Sequence, residues 1–391
     1  MIMFTVLQMT IWVGLSIALS GLPVRSFDSL NQELKYLVSE LVDKDNSVRS
    51  CVLSVLKGDS SYFWSGAMGI ASQENQMPMT KETPIYIASI TKLYTAAVIM
   101  KLYEKGIISL DDSMSKYLPE ELYQGIHIYK GTDYSNKITI RQLLSHTSGI
   151  ADYYAEKSKE GKSLFELFLE KPERSWIVDE TIERARRDLE PHFPPGTDAF
   201  YSDTNYQLLG KIIEIVTGKP LHTVYENFIF SPLHLKHTWL TGYSDTKLTF
   251  SNNPADIFYN DKIINNIRSN GSYWADGGII STAEECIIFL KALNEGHIVS
   301  AATLRLMHNW HPIQNTGPFQ YGYGTMYFEL PAEQKVPSLW GHSGSTGSFL
   351  FYSEKLNLYI AGTINQVDAN SKPFRLMISV MQIIQSKIME Q

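Results

Sequence analysis

The chain has 391 residues, 44% of them apolar, and a formal net charge of −7. That is enough apolar material for one large domain or for two lobes sharing a core. Lys and Arg form no basic tract, which argues against a nucleic-acid partner, and the two cysteines, Cys51 and Cys286, lack metal-type spacing.

Residues 1–24 carry no charge, and an apolar core from Ile11 to Leu22 ends near Ala18-Leu19-Ser20. Residues 1–25 therefore read as a signal peptide or a retained N-terminal anchor. The expected location is periplasmic, extracellular or tethered to a membrane. Leu30, Leu34, Leu37, Val38 and Leu41 recur at helical spacing and predict an amphipathic helix over 28–44. Cys51–Leu56 and Tyr62–Ile70 are strand-like runs separated by the turn signal Lys57-Gly58-Asp59-Ser60. Leu93, Ala96, Ala97, Met100 and Tyr103 mark a helix opened by Ser89 and ended by Gly106.

From Ser109 to about Glu295 the pattern is one of helical pieces and polar loops, with a helix over Leu208–Val216 stopped at Gly218. Strand character returns in Gly324–Leu330, Gly347–Tyr352 and Leu358–Ile364, and Phe374–Ile388 is amphipathic and helical. The expected architecture is α/β (α+β): an antiparallel sheet flanked by helices, with a mostly helical lobe inserted. The mixed lobe would comprise 26–106 and 300–391 and the helical lobe 107–299, with a ligand cleft between them. Cys51 and Cys286 are either two buried thiols or one disulfide.

Ser89-Ile90-Thr91-Lys92 carries the chemistry. A serine opening a helix has the lysine three residues on along the same face, and helix N-terminal N–H groups can serve a developing oxyanion. Ser54/Lys57, Ser113/Lys116 and Ser244/Lys247 share the spacing. The first pair lies on a strand, where such positions face opposite ways. The other two lie in polar turns with no helix behind them. Only Ser89 joins an apolar lead-in to a long helix.

Two further elements follow in order. Pro194-Pro195-Gly196 leads into Tyr201-Ser202-Asp203 and the Asn205–Val216 helix, and Trp340-Gly341-His342-Ser343-Gly344-Ser345 lies at the edge of the returning strands. In this order the three elements resemble the β-lactamase/transpeptidase-like, serine penicillin-recognising enzymes. Within them the chain is most similar to the branch of class C β-lactamases, D-alanyl-D-alanine carboxypeptidases, D-aminopeptidases and related esterases. Leu143–Ile150 and Asn205–Gly210 support the resemblance. Tyr134-Ser135-Asn136 and Tyr243-Ser244-Asp245 compete with Tyr201 by letters, but neither has the preceding Pro-Gly turn and the following helix.

The resemblance implies that Ser89 is the nucleophile, with Lys92 and Tyr201 handling its proton. The N–H groups of Ser89 and Ser345 would form the oxyanion hole, and His342, Ser343 and Gly344 the opposite cleft wall. His146 would stabilise a loop. Asp203 stands where the class C pattern has Asn, and a carboxylate cannot donate a hydrogen bond to a substrate carbonyl. A negative Asp203 near Lys92 would keep the lysine charged and move the base role toward Tyr201. His342 stands where class C enzymes carry Lys, so this wall lacks a permanent cation.

The expected partner is a small-molecule ester, peptide or β-lactam-like substrate, with ester or D-amino-acid amide hydrolysis favoured over β-lactam turnover. A penicillin-binding D,D-carboxypeptidase or weak β-lactamase, and a catalytically silent binding or scaffold protein, are the competing readings. No cofactor or metal is expected: His234/His237 and His308/His311 have no carboxylate or cysteine cluster beside them.

Overall fold

The structure, a computed structural model, describes residues 27–244, 253–264, 268–315, 318–330, 332–369 and 371–389. The segment read as signal peptide or anchor, residues 1–25, lies outside them. Helix α1 (Asp28–Lys44) precedes strands β1 (Ser50–Lys57), β2 (Phe63–Ser72) and β3 (Met77–Pro78), then the short strand β4 (Ile85–Tyr86) and helix α2 (Thr91–Glu104). The middle of the chain contributes α3 (Asp203–Thr217), β5 (Trp239–Leu240), α4 (Trp274–Gly277), β6 (Ile279–Ser281) and α5 (Ala283–Asn294), among shorter helices and two small hairpins. It ends in β7 (His311–Pro312), β8 (Phe319–Tyr321), β9 (Met326–Phe328), β10 (Leu339–Gly344), β11 (Ser348–Ser353), β12 (Leu358–Thr363) and α6 (Lys372–Met389).

Among the described residues the main sheet is nine-stranded and antiparallel, in the order β7-β8-β9-β10-β11-β12-β1-β2-β3. The two chain ends meet where β1 pairs with β12 (Val52 opposite Thr363). Period-two alternation assigns its faces. Cys51, Leu53, Val55, Phe349, Phe351 and Ile360 pack under α1 and α6, whereas Val52, Leu350, Tyr352, Tyr359 and Ala361 join the core shared with the helical part. Burial on both faces explains why β11 and β12 are unbroken apolar runs rather than alternating ones.

Helix α2 packs on α3 and α4, in the helical part, while α5 lies on β12, β1 and β11. Thus a helix that pattern alone placed in the inserted lobe covers the sheet, and the serine-bearing helix sits among the inserted elements. Cys51 and Cys286 are both buried and unpaired, with burial pushing each thiol up to about 12. Among the described residues no helix is long and apolar enough to cross a membrane.

Candidate active site

Ser89 sits in a 3₁₀ turn, Ala88–Ile90, that runs directly into α2. Ala88 adopts φ +47°, a left-handed conformation that costs an L-residue roughly 1–2 kcal/mol and persists because its surroundings pin it. Thr346 Oγ1 donates to Tyr86 O at 2.7 Å and Ser348 Oγ to Ile87 O at 2.9 Å. Ile279 N–H donates to Thr91 Oγ1 at 3.0 Å from the other side. β10 runs close behind. A Cβ at Gly344 would stand 2.4 Å from Ile87 O and 3.0 Å from Ala88 Cβ, so only glycine allows this approach.

Lys92, the second residue of α2, has no exposed surface. Its Nζ donates to Ser89 Oγ at 3.2 Å and to Asp276 O at 2.8 Å, and lies 2.6 Å from Asp203 Oδ1. Burial alone would lower the lysine pKa, but the Asp203 charge, with Tyr201 and Asp276, outweighs it and raises it above the ordinary value. Lys92 is therefore a cation. Asp203 reaches it because it begins α3, at whose other end Gly218 is left-handed (φ +62°).

Tyr201 lies beside the pair, its ring centroid 5.0 Å from Lys92 Nζ. Its hydroxyl is buried without a well-aligned hydrogen bond. Burial raises its pKa, and the opposing pull of Lys92 does not cancel that. The phenol is thus protonated at neutral pH. Burial thus works against the base role expected of Tyr201 beside a charged Lys92.

His146 holds the Tyr201 segment. Its carbonyl accepts Phe200 N–H at 3.0 Å, its Nδ1 accepts Ser202 N–H at 3.1 Å, and its ring lies 4.3 Å from that of Tyr201. A backbone N–H only donates, so Nδ1 carries no proton. Burial, then Lys92 and the other histidines, hold the His146 pKa well below the usual value. It is a loop-holding residue, as the resemblance implied.

His342 departs from expectation. It has no exposed surface, its Nδ1 donates to Ser343 O at 2.7 Å, and its Nε2 accepts from Tyr321 OH at 3.0 Å. Burial, with Lys92 nearby, pushes its pKa down to about 3. It supports the tyrosine cluster from behind instead of facing substrate. Of the predicted strand residues only Ser345 lines the cavity, joined by Thr346; His342, Ser343 and Gly344 do not.

A cavity of about 230 Å³ opens on Ser89, Tyr201 and Asp203. Its apolar side is Tyr86, Tyr154, Ile257, Ile264 and Tyr273, and its polar side adds Asp152, Asp276 and Asn315. No motif pointed to these last three. Asp152 accepts N–H groups of Asp203 (3.0 Å), Tyr154 (3.2 Å) and Ala155 (3.1 Å), yet burial and the Asp203 charge push its pKa up to about 8. The Asp276 carboxyl accepts Tyr153 OH at 2.8 Å and is likewise raised by burial and Asp203. Among the described residues no Lys or Arg lines the cavity, and no group of His, Cys, Asp and Glu is disposed to hold a metal.

A protein-family model described as Beta-lactamase matches residues 37–377. Protein flp of Staphylococcus aureus (strain COL) is 31% identical over 208 residues, 53% of this chain and 38% of that protein, so the chain spans well under half of that relative's length. Among solved structures, a D-stereospecific amidohydrolase from Streptomyces sp. is 27% identical with a TM-score of 0.72, covering 88% of this chain and 96% of that one. A D-amino acid amidase from Ochrobactrum anthropi SV3, complexed with D-phenylalanine, is 22% identical with a TM-score of 0.76, covering 92% and 100%. The fold expected from the sequence is the fold these structures share.

Proposed function

This chain belongs to the beta-lactamase family, and we propose that it is a serine acyl hydrolase working through an acyl-enzyme on ester or peptide-type amide bonds. The observation that carries the reading is Ser89 at the cavity floor, 3.2 Å from a Lys92 paired with Asp203 at 2.6 Å, with the Tyr201 phenol alongside.

A lysine held as a cation cannot accept a proton by itself. The Lys92–Asp203 pair can: Lys92 passes one proton to Asp203 as it takes the Ser89 proton. Ser89 Oγ then bonds to the carbonyl carbon, and the carbonyl oxygen becomes an oxyanion facing the N–H groups of Ser89 and Ser345. The bond to the leaving group breaks as Tyr201 donates its phenolic proton to it. The protonated pair then restores the phenol. Water releases the acyl group by the same transfers in reverse order.

Charge narrows the substrate. Among the described residues the cavity has no lining Lys or Arg to pair with the carboxylate of a β-lactam. It suits neutral or amine-bearing acyl donors with an apolar side chain. D-aminoacyl amides and esters meet that description, and two structurally similar proteins, a D-stereospecific amidohydrolase and a D-amino acid amidase, agree with it. The uncharged apolar start of the chain is the ground for proposing export or membrane tethering. A panel of p-nitrophenyl esters, D-amino-acid p-nitroanilides and a chromogenic cephalosporin, run on wild type and Ser89→Ala, tests the reading. Turnover of the first two classes that vanishes in Ser89→Ala supports it, and efficient cephalosporin hydrolysis overturns the substrate assignment.

A further inference from the structure

Asp203 supplies no side-chain amide, but the amide of Asn315 lies beside it, on the backbone of Tyr201. Asn315 follows β7 and lines the cavity that holds Ser89, Tyr201 and Asp203. Its amide orientation is settled by one contact. Tyr201 N–H, which can only donate, lies 3.0 Å from Oδ1, so the other terminal atom is the nitrogen. Among the described residues that Nδ2 has one long contact, 3.4 Å to Tyr201 O, which leaves donor capacity for a second acceptor. Asn315 adopts φ +60°, a backbone state that asparagine accepts at least cost after glycine. Its side chain is exposed on the cavity side and not locked into a core.

We infer that Asn315 is a substrate-binding residue, donating its Nδ2–H to a carbonyl of the acyl donor other than the one attacked by Ser89. This deepens the hydrolase reading and rests on it. The preferred substrates would then carry a second hydrogen-bond acceptor, as acylated amino acids and peptides do. Asn315 meanwhile holds the backbone of Tyr201 through Oδ1, so substrate binding and placement of the acid share one side chain.

The test uses two esters that differ by one group: the p-nitrophenyl ester of N-acetyl-D-phenylalanine, and that of 3-phenylpropionic acid, which has no acetamido carbonyl. The readout is the ratio of their kcat/KM values within each protein. Wild type should favour the acetamido ester. Asn315→Asp keeps the acceptor for Tyr201 N–H and removes the donor, and Asn315→Gly removes both while suiting the backbone. In each variant the ratio should fall by about tenfold, the usual worth of one hydrogen bond. A ratio unchanged in both variants, or no preference in wild type, overturns the role of Asn315 and leaves the hydrolase reading intact. Turnover of neither ester by wild type, together with no fluorophosphonate labelling of Ser89, overturns both.

Discussion

Replacing Asp203 by Asn removes the one carboxylate among the described residues placed within ion-pair distance of Lys92 Nζ, 2.6 Å away. At that distance the attraction is on the order of 6 kcal/mol at an effective dielectric of about 20. Part of it offsets the desolvation of the pair, and stranding a buried charge by deleting its partner costs about 3–5 kcal/mol. At about 1.36 kcal/mol per pKa unit, that lowers the Lys92 pKa by roughly 2–4. Two consequences follow in the pH profile of kcat/KM on a p-nitrophenyl ester. The relay through the carboxylate is lost, so the rate at pH 7 falls by about 100-fold, the lower end of what a positioned base contributes. The rate recovers toward alkaline pH as Lys92 becomes neutral and serves as the base itself. A profile for Asp203→Asn that superimposes on wild type would refute the paired-proton account.

Gly344→Ala forces a Cβ to within 2.4 Å of Ile87 O and should lower stability by roughly 1–3 kcal/mol, with a lower Tm and a loss of kcat as the Ser89 turn is displaced. The His342 pKa is held near 3, below the 6.5 of a free histidine. Its contribution to stability is therefore present above about pH 6.5 and lost as pH falls toward 3. His342→Gln cannot titrate, so its Tm should decline less than that of wild type between those pH values; equal declines would count against the assignment. His146→Ala removes the acceptor for Ser202 N–H and should lower kcat with KM little changed. His146→Asn, which can place an oxygen near the Nδ1 position and tolerates φ +58°, should recover part of the loss.

How legible the site was in sequence depended on how local each signal is. The Ser89–Lys92 pair and the helix-ending Gly218 follow from helix geometry within a few residues and stand where the pattern put them, while α3 begins at Asp203, two residues before the expected Asn205. Tyr201 and Ser345 also reach the cavity. His342 was misplaced because a strand position says which face a side chain takes but not what it meets. Here Tyr321, from a neighbouring part of the sheet, captures the imidazole. Asp152 and Asn315 come from distant loops and Asp276 from the short helix α4, and only the fold unites them. Short-range spacing carries no signal for such a set. The small strand β7 also went unread, since two residues ending in proline leave no periodicity to detect. Cys51 and Cys286 lie in cores on opposite faces of the sheet, which composition could not reveal.

The central claim is that Ser89 is a nucleophile made reactive by the Lys92–Asp203 pair. Intact-protein mass spectrometry after treatment with a fluorophosphonate, followed by peptide mapping, tests it most directly. The account predicts a single adduct on Ser89, absent in Ser89→Ala and formed at least about tenfold more slowly at pH 7 in Asp203→Asn, whose base is impaired. An unlabelled wild type, or an adduct on any other residue, would contradict it.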